Sequence, residues 1–396
     1  MCIRDSPFTS YQKEDNRVSL IGDTHPVFHG SVVKAIASGL RTYPKIIASL
    51  QPKLAKPPVN DYQEFAAIMQ QYFQARVTKI TRKTPEIFEL TIAAPLASQQ
   101  FKPGQFYRLQ NFENTALVKE NTLLQMEPFI VVGADCDKTA GTLTFIIKES
   151  TVTAKLCATL KENDFVSLMG PTGVRTKIPH EQETLLIIGD QASFPFLRSV
   201  GRAAREAGNF VMFIGIFDHA NDVYCREELE SAADLILWLT KSAEIIPANP
   251  TRMNDKTFVY TDLNTAFHKL NSHEYILNDV DRVYLVGEVD LLRDFQSQRK
   301  ELVKEFFFKN PKVFGSVYGS MQCMLKGVCA QCLQWQIDPE TGLRTKAVFA
   351  CSWQDQPLEL IDLDHMQIRQ FQNHFLEKFN ALWVDYIFAK HALKTV

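Results

Sequence analysis

"DFVSLMGPTGVRTKIPHEQETLLII", residues 164–188, changes character at its centre, and that change decides how the chain is read. Upstream lie short runs rich in β-branched and aromatic residues: RVTKI (76–80), IFELTI (87–92), GQFYRL (104–109), FIVV (129–132), TLTFII (142–147) and DFVSLMG (164–170). Turn residues separate them, so they predict an antiparallel β-barrel. The run at 143–147 is too continuous to assign a wet face. Downstream, TLLII (184–188), FVMFIGIF (210–217), TFVYT (257–261) and RVYLV (282–286) are continuously apolar and are separated by helical lengths. Such strands belong to a parallel sheet covered on both faces. PFLRSVGRAAREAG (195–208), with Pro195 early and Gly208 at its end, is one of the covering helices.

A chain of 396 residues is too long for one ordinary core. With 45% hydrophobic and 22% charged residues it is a globular composition. The 43 Lys and Arg against 45 Asp and Glu, net −2, give no electrostatic case for nucleic acid. No 18-residue apolar stretch and no secretory leader are visible, so a cytoplasmic protein without membrane insertion is expected.

Four of the eight cysteines fall in one region: Cys323-x5-Cys329-x2-Cys332, then eighteen residues to Cys351. That clustering is unlike a disulfide scaffold. Four thiolates can hold either a [2Fe-2S] cluster or a structural zinc, and a single C-x2-C knuckle favours iron-sulfur. Gly327 lets the loop curl around such a centre, and Lys326 offsets its charge. A third reading makes ETGLRTKAVFAC (340–351) a hairpin whose Cys351 ligates nothing.

Barrel, parallel α/β domain and C-terminal cysteine loop, in that order, resemble the ferredoxin-NADP reductase superfamily. The nearest type is the electron-transfer subunit of dihydroorotate dehydrogenase and the small subunit of sulfide dehydrogenase. FKPGQFYRLQ (101–110) is similar to the family's barrel strand, and GPTG (170–173) to the turn leaving the barrel. The resemblance implies an electron-transfer oxidoreductase using FAD, NAD(P) and a [2Fe-2S] cluster. The cluster ligands would be Cys323, Cys329, Cys332 and Cys351, and an electron-acceptor protein would be the partner.

Three positions depart from the family pattern. The flavin motif Arg-x-x-Ser/Thr is replaced by MEPFIVV (126–132), which sets Pro128 and Phe129 at the flavin and Glu127 where phosphate would approach. The glycine-rich nicotinamide loop reads GDQASFP (189–195), keeping Gly189 but adding Asp190, and a later Cys-Gly-Pro reads VGEVDLL (286–292). In KESTVTAKL (148–156), Ser150, Thr151 and Thr153 either meet FAD pyrophosphate or form a plain helix cap. A scaffold that has lost its flavin and nicotinamide sites and carries only a metal centre for docking is therefore the alternative function.

Toward the N-terminus, VSLIGDTHPVFHGSVVKAIASGLRTYPKI (18–46) runs a strand into Gly22-Asp23, a turn and a helix. This resembles the last FAD motif of the glutamate synthase small subunit, in which Asp23 would face the ribityl chain. Residues 1–6, MCIRDS, resemble a translated sequencing adapter. The chain is thus expected to be a fragment of a fused flavoprotein, with an upstream flavoprotein domain as partner. The expected division is a truncated FAD domain to residue 50, a linker over 51–73, the barrel over 74–178, the α/β domain over 179–318, the cysteine loop over 319–358 and a terminal helix over 359–396. Ile368, Phe371, Phe375, Phe379, Leu382 and Tyr386 lie on one face of that helix, which is expected to pack into the core.

Overall fold

The short runs and the continuous apolar runs become a closed barrel and a separate, mostly parallel sheet. The computed structural model describes residues 9–13, 16–53, 59–180, 182–271, 276–316, 332–372 and 374–396. The chain divides into two units, Met1–Ile68 and Met69–Val396. The first contains the hairpin β1 (Thr9–Lys13) and β2 (Asn16–Leu20), then α1 (Val32–Leu50). Helix α2 (Val59–Phe73) fills much of the stretch read as linker.

The second unit opens with β3 (Ala75–Thr84), β4 (Ile87–Ala93), α3 (Pro95–Gln100) and β5 (Phe106–Asn111). The small hairpin β6 (Val118–Lys119) and β7 (Thr122–Leu123) precedes β8 (Phe129–Asp137), β9 (Thr142–Lys148), α4 (Val152–Cys157) and β10 (Phe165–Thr172). Strands β3, β4, β9, β8, β5 and β10 close into an antiparallel barrel. Its core is built from alternate residues: on β9, Leu143, Phe145 and Ile147 point inward. Ile146, on the opposite face, packs against the neighbouring α/β layer. Both faces of β9 are covered, which is why its sequence does not alternate.

The α/β layer is β11 (Thr184–Gly189), α5 (Phe194–Phe196), α6 (Arg202–Glu206), β12 (Phe210–Phe217), α7 (Arg226–Ala232), β13 (Leu235–Thr240), β14 (Lys256–Val259), α8 (Leu263–Asn271), β15 (Val280–Val286), α9 (Val289–Phe306) and β16 (Lys312–Ser316). A π-turn at Leu197–Gly201 joins α5 to α6 into one helical run. This run begins beside Pro195 and is followed by Gly208 at φ +84°. The sheet order is β14-β13-β12-β11-β15-β16, all parallel, with a short strand at Asp355–Pro357 added antiparallel beside β16. Leu186 and Ile188 pack on one face of β11, and Leu185 and Ile187 on the other. The order reverses between β11 and β15, the switch point at which open α/β sheets bind ligands.

A second hairpin, β17 (Leu333–Ile337) and β18 (Arg344–Phe349), leads to β19 (Asp355–Pro357), α10 (Leu363–Phe371) and α11 (His374–His391). The single terminal helix expected over 359–396 is two helices, and its apolar stripe does not enter the core. Ile368, Phe371, Phe375, Phe379, Leu382 and Tyr386 are all exposed, whereas Val384, Ile387 and Phe388 are buried against the barrel. Phe375, Phe379, Leu382 and Tyr386 still share one face of α11, but the helix docks through its opposite side, where Val384, Ile387 and Phe388 lie. Among the described residues no helix is long and apolar enough to cross a membrane.

Candidate functional site

The barrel meets the sheet through charge as well as apolar surface. Arg198, on the π-turn, is buried and donates to Glu89 of β4 at 2.7 Å and to Asp135 of β8 at 3.4 Å. Arg202, one turn on, reaches Asp135 at 3.0 Å. Burial works against the charged form of Asp135, and the two guanidiniums outweigh it, holding its carboxyl below the usual range.

Beside this junction lies a crevice of about 250 Å³ walled by Phe129 and Ile130 of β8, Ile146 of β9, Pro195 and Tyr224. Tyr224 is 7% exposed, and its hydroxyl has no hydrogen-bond partner among the described residues. Burial raises the phenol well above its ordinary range, so it remains a protonated donor. An apolar slot with one orphaned buried hydroxyl fits a flat heteroaromatic ring with a polar edge, as flavin has.

A second cavity, of about 500 Å³, lies on the other side of Ser150 and Thr151, which line both. Thr151 caps α4 by accepting from Ala154 N at 3.2 Å. Thr153 is buried within α4. Phe129 lines the apolar crevice and Pro128 lines neither cavity. Lys155, Lys378, Glu149, Glu377 and Asp385 line the polar cavity. The Glu377 carboxylate accepts from Val152 N, while burial and the nearby Glu127 raise it. Lys155 is ion-paired with Asp385. The ring half of a flavin dinucleotide thus fits these residues better than its phosphate half.

At the switch point, Gly189 ends β11 where a Cβ would come within 2.3 Å of both Ser193 Cβ and Val286 O. The next residue, Asp190, turns its carboxylate back: Oδ1 accepts from Ala192 N at 2.7 Å and Oδ2 from Glu288 N at 3.1 Å. Burial raises this carboxyl. Backbone N–H groups that an anionic ligand would use are satisfied from within the chain.

The hairpin β17–β18 pairs Leu333 with Phe349. Cys332 and Cys351 therefore emerge at the same end, buried, with Sγ atoms 3.5 Å apart. Two thiolates on one tetrahedral metal with bonds of about 2.3 Å stand about 3.7 Å apart, so this pair fits one iron or zinc ion. Cys323 and Cys329 lie outside the described residues, among which no group of three or more metal-ligating side chains converges. The thiol pair belongs to the same apolar cluster as Ile130 and Val132, which line the ring crevice. In the first unit, Gly22 sits at φ +68° and Asp23 Oδ1 accepts from Gly30 N at 2.8 Å, closing its own turn.

Tyr224, Glu377, Asp385 and Arg198 are not among the residues singled out from sequence. Only the buried Arg198, on a regular helical pattern otherwise apolar toward the core, carries a local signal.

No family model matches the chain. An uncharacterized protein of Rickettsia prowazekii (strain Madrid E) is 29% identical over 369 residues, 93% of this chain and 42% of that protein. The electron transfer subunit of dihydroorotate dehydrogenase B (NAD(+)) from Listeria monocytogenes is 25% identical over 158 residues, 39% of this chain and 58% of that subunit. The chain thus spans less than two thirds of the length of either relative. Among solved structures, the NADH-dependent reduced ferredoxin-NADP oxidoreductase superposes with a TM-score of 0.61 at 18% identity, covering 78% of this chain and 97% of that one. A closed six-stranded barrel followed by this parallel sheet, superposing in that way, gives the chain the fold of the ferredoxin-NADP reductase superfamily.

Proposed function

We propose that the chain is an electron-transfer module of an NAD(P)H-linked oxidoreductase. In this reading a flavin occupies the crevice beside Phe129 and Tyr224, and a [2Fe-2S] cluster is held by Cys323, Cys329, Cys332 and Cys351. NAD(P) would approach the switch point at Gly189, and an electron-acceptor protein or an upstream flavoprotein domain would be the partner. The observation that carries the reading is the continuity of one dry apolar cluster from the crevice wall at Ile130 and Val132 to the paired thiols of Cys332 and Cys351.

Bound flavin supplies the conversion between two-electron hydride chemistry and single-electron transfer. The chain's own groups do the rest. Phe129, Ile130 and Ile146 would shield the ring from water, and the buried Tyr224 hydroxyl would be the donor available to a polar ring edge. Cys332 and Cys351 deliver two sulfur ligands preset at ligand spacing, so little rearrangement is needed to close on a metal.

The test is anaerobic purification followed by an absorption spectrum and iron and sulfide analysis. Flavin bands with two irons and two sulfides per chain are expected, and Cys332→Ser and Cys351→Ser should each lose the iron while Cys225→Ser keeps it. A colourless protein containing zinc would overturn the iron-sulfur assignment. A second reading, a reductase-type scaffold that carries only the metal centre and docks a partner, is favoured at one place by the Asp190 carboxylate filling the switch point. It predicts a cluster spectrum without flavin.

A further inference from the structure

We propose that Glu377 and Asp385 on α11 are specificity-determining residues that exclude the phosphates of flavin nucleotides, so that the crevice prefers riboflavin. This rests on the flavin reading of the apolar crevice above.

The polar cavity is the space adjoining that crevice, with Ser150 and Thr151 lining both, and it is where we place the phosphate-bearing half of a flavin nucleotide whose ring lodges in the crevice. The cavity is already supplied with anions by the chain itself. Its lining carries three carboxylates, Glu149, Glu377 and Asp385, against two ammonium groups, Lys155 and Lys378. Glu127 adds a fourth negative charge close enough to disturb Glu377. Most donors a phosphate would seek are engaged: Val152 N by Glu377, Lys155 by Asp385, and the neighbouring Arg82 by Glu149 at 2.7 Å and by the Val396 carbonyl at 2.7 Å, which leaves Lys378 as the one lining ammonium set against Glu377 and Glu127. A phosphate would therefore meet repulsion where it needs donors.

Helix α11 is a fixed wall rather than a loose cover. Val384, Ile387 and Phe388 are buried in the barrel cluster. The Lys155 ammonium sits 5.0 Å over the Phe388 ring. Trp383 Nε1 donates to Thr122 Oγ1 at 2.9 Å, and Lys390 and His391 both reach Glu120. Shifting the helix would break all of these, so the backbone that carries the two acids is fixed beside the cavity. Neutralising them leaves the wall in place: Gln at 377 still offers an oxygen to Val152 N, and Asn at 385 frees Lys155.

The full chain and its Glu377→Gln/Asp385→Asn double variant are titrated with riboflavin, FMN and FAD, following quenching of flavin fluorescence. Wild type should bind in the order riboflavin, FMN, FAD. In the double variant FAD should gain about tenfold, and riboflavin should stay within about twofold, which also reports that the ring crevice is intact. FAD binding only to the double variant supports the proposal equally. Wild type that binds FAD more tightly than riboflavin, with the ratio unchanged in the variant, overturns it while leaving the flavin reading standing. Failure of all three flavins with both proteins overturns the flavin reading, and the proposal with it.

Discussion

The crevice beneath β8 and β9 and the switch point between β11 and β15 are two places where this architecture presents itself to a ligand, and they are finished in opposite ways. The crevice keeps open apolar space and a buried hydroxyl with nothing to bond. The switch point is closed by Asp190, whose two oxygens take the Ala192 and Glu288 amides. Both follow from the same fold, so the difference lies in single side chains at strand ends. The fold decides where a ligand could lie, and local polar bookkeeping decides whether it is wanted there.

The strongest way to break the comparison is to remove what holds the two regions in register. Arg198 is 5% exposed and bridges Glu89 and Asp135 of the barrel from the helix that follows β11. Arg198→Ala leaves Glu89 facing only Lys83 at 3.6 Å, which should cost about 3 kcal/mol, read as a lower urea midpoint. A loss below about 1 kcal/mol would mean that apolar packing alone sets the junction.

A smaller effect, more specific in where it falls, comes from Asp190→Ala. It frees two backbone N–H groups and removes a negative charge, so NAD+ should bind about tenfold more tightly by calorimetry. Because burial raises the Asp190 carboxyl, acid neutralises it at higher pH than an ordinary aspartate. Wild type should approach the variant's affinity as the pH falls, while the variant stays flat. Equal NAD+ affinity of both proteins at neutral pH would show that the switch point is not closed after all.

How much of this was legible in advance depends on how local each signal is. All six barrel strands lie where β-branched runs between turns were read, and β11, β12, β14 and β15 lie where continuous apolar runs were read. The strand β13, LILWLT, went unnamed because Ala233 and Asp234 alone separate it from α7, with no Gly or Pro to mark the edge. The stripe on α10 and α11 is a real apolar face, but periodicity does not say which face docks, and α11 packs through Val384, Ile387 and Phe388 on the other side. Cys332 and Cys351 are brought together by hairpin register, and the hairpin over 340–351 was itself one of the readings the sequence offered. Tyr224 and Glu377 carry no comparable mark. The first lines its slot through packing of β8 and β9, and the second meets Val152 only because α11 folds back on α4.

The finest test of the comparison is therefore Tyr224→Phe, which touches one oxygen. A buried hydroxyl without a partner costs its lost hydration and returns nothing, so an isosteric ring should stabilise the unliganded chain by about 1 kcal/mol. For a unit of this size that is a rise of about 2 °C in Tm. The same change should weaken flavin binding by about fivefold, because the hydroxyl's one available bond is to the ligand. Opposite signs in the two measurements are the signature of a group held unsatisfied for a ligand's sake. Destabilisation of the free chain instead would place a protein or water partner on Tyr224, and the crevice would then be as internally complete as the switch point.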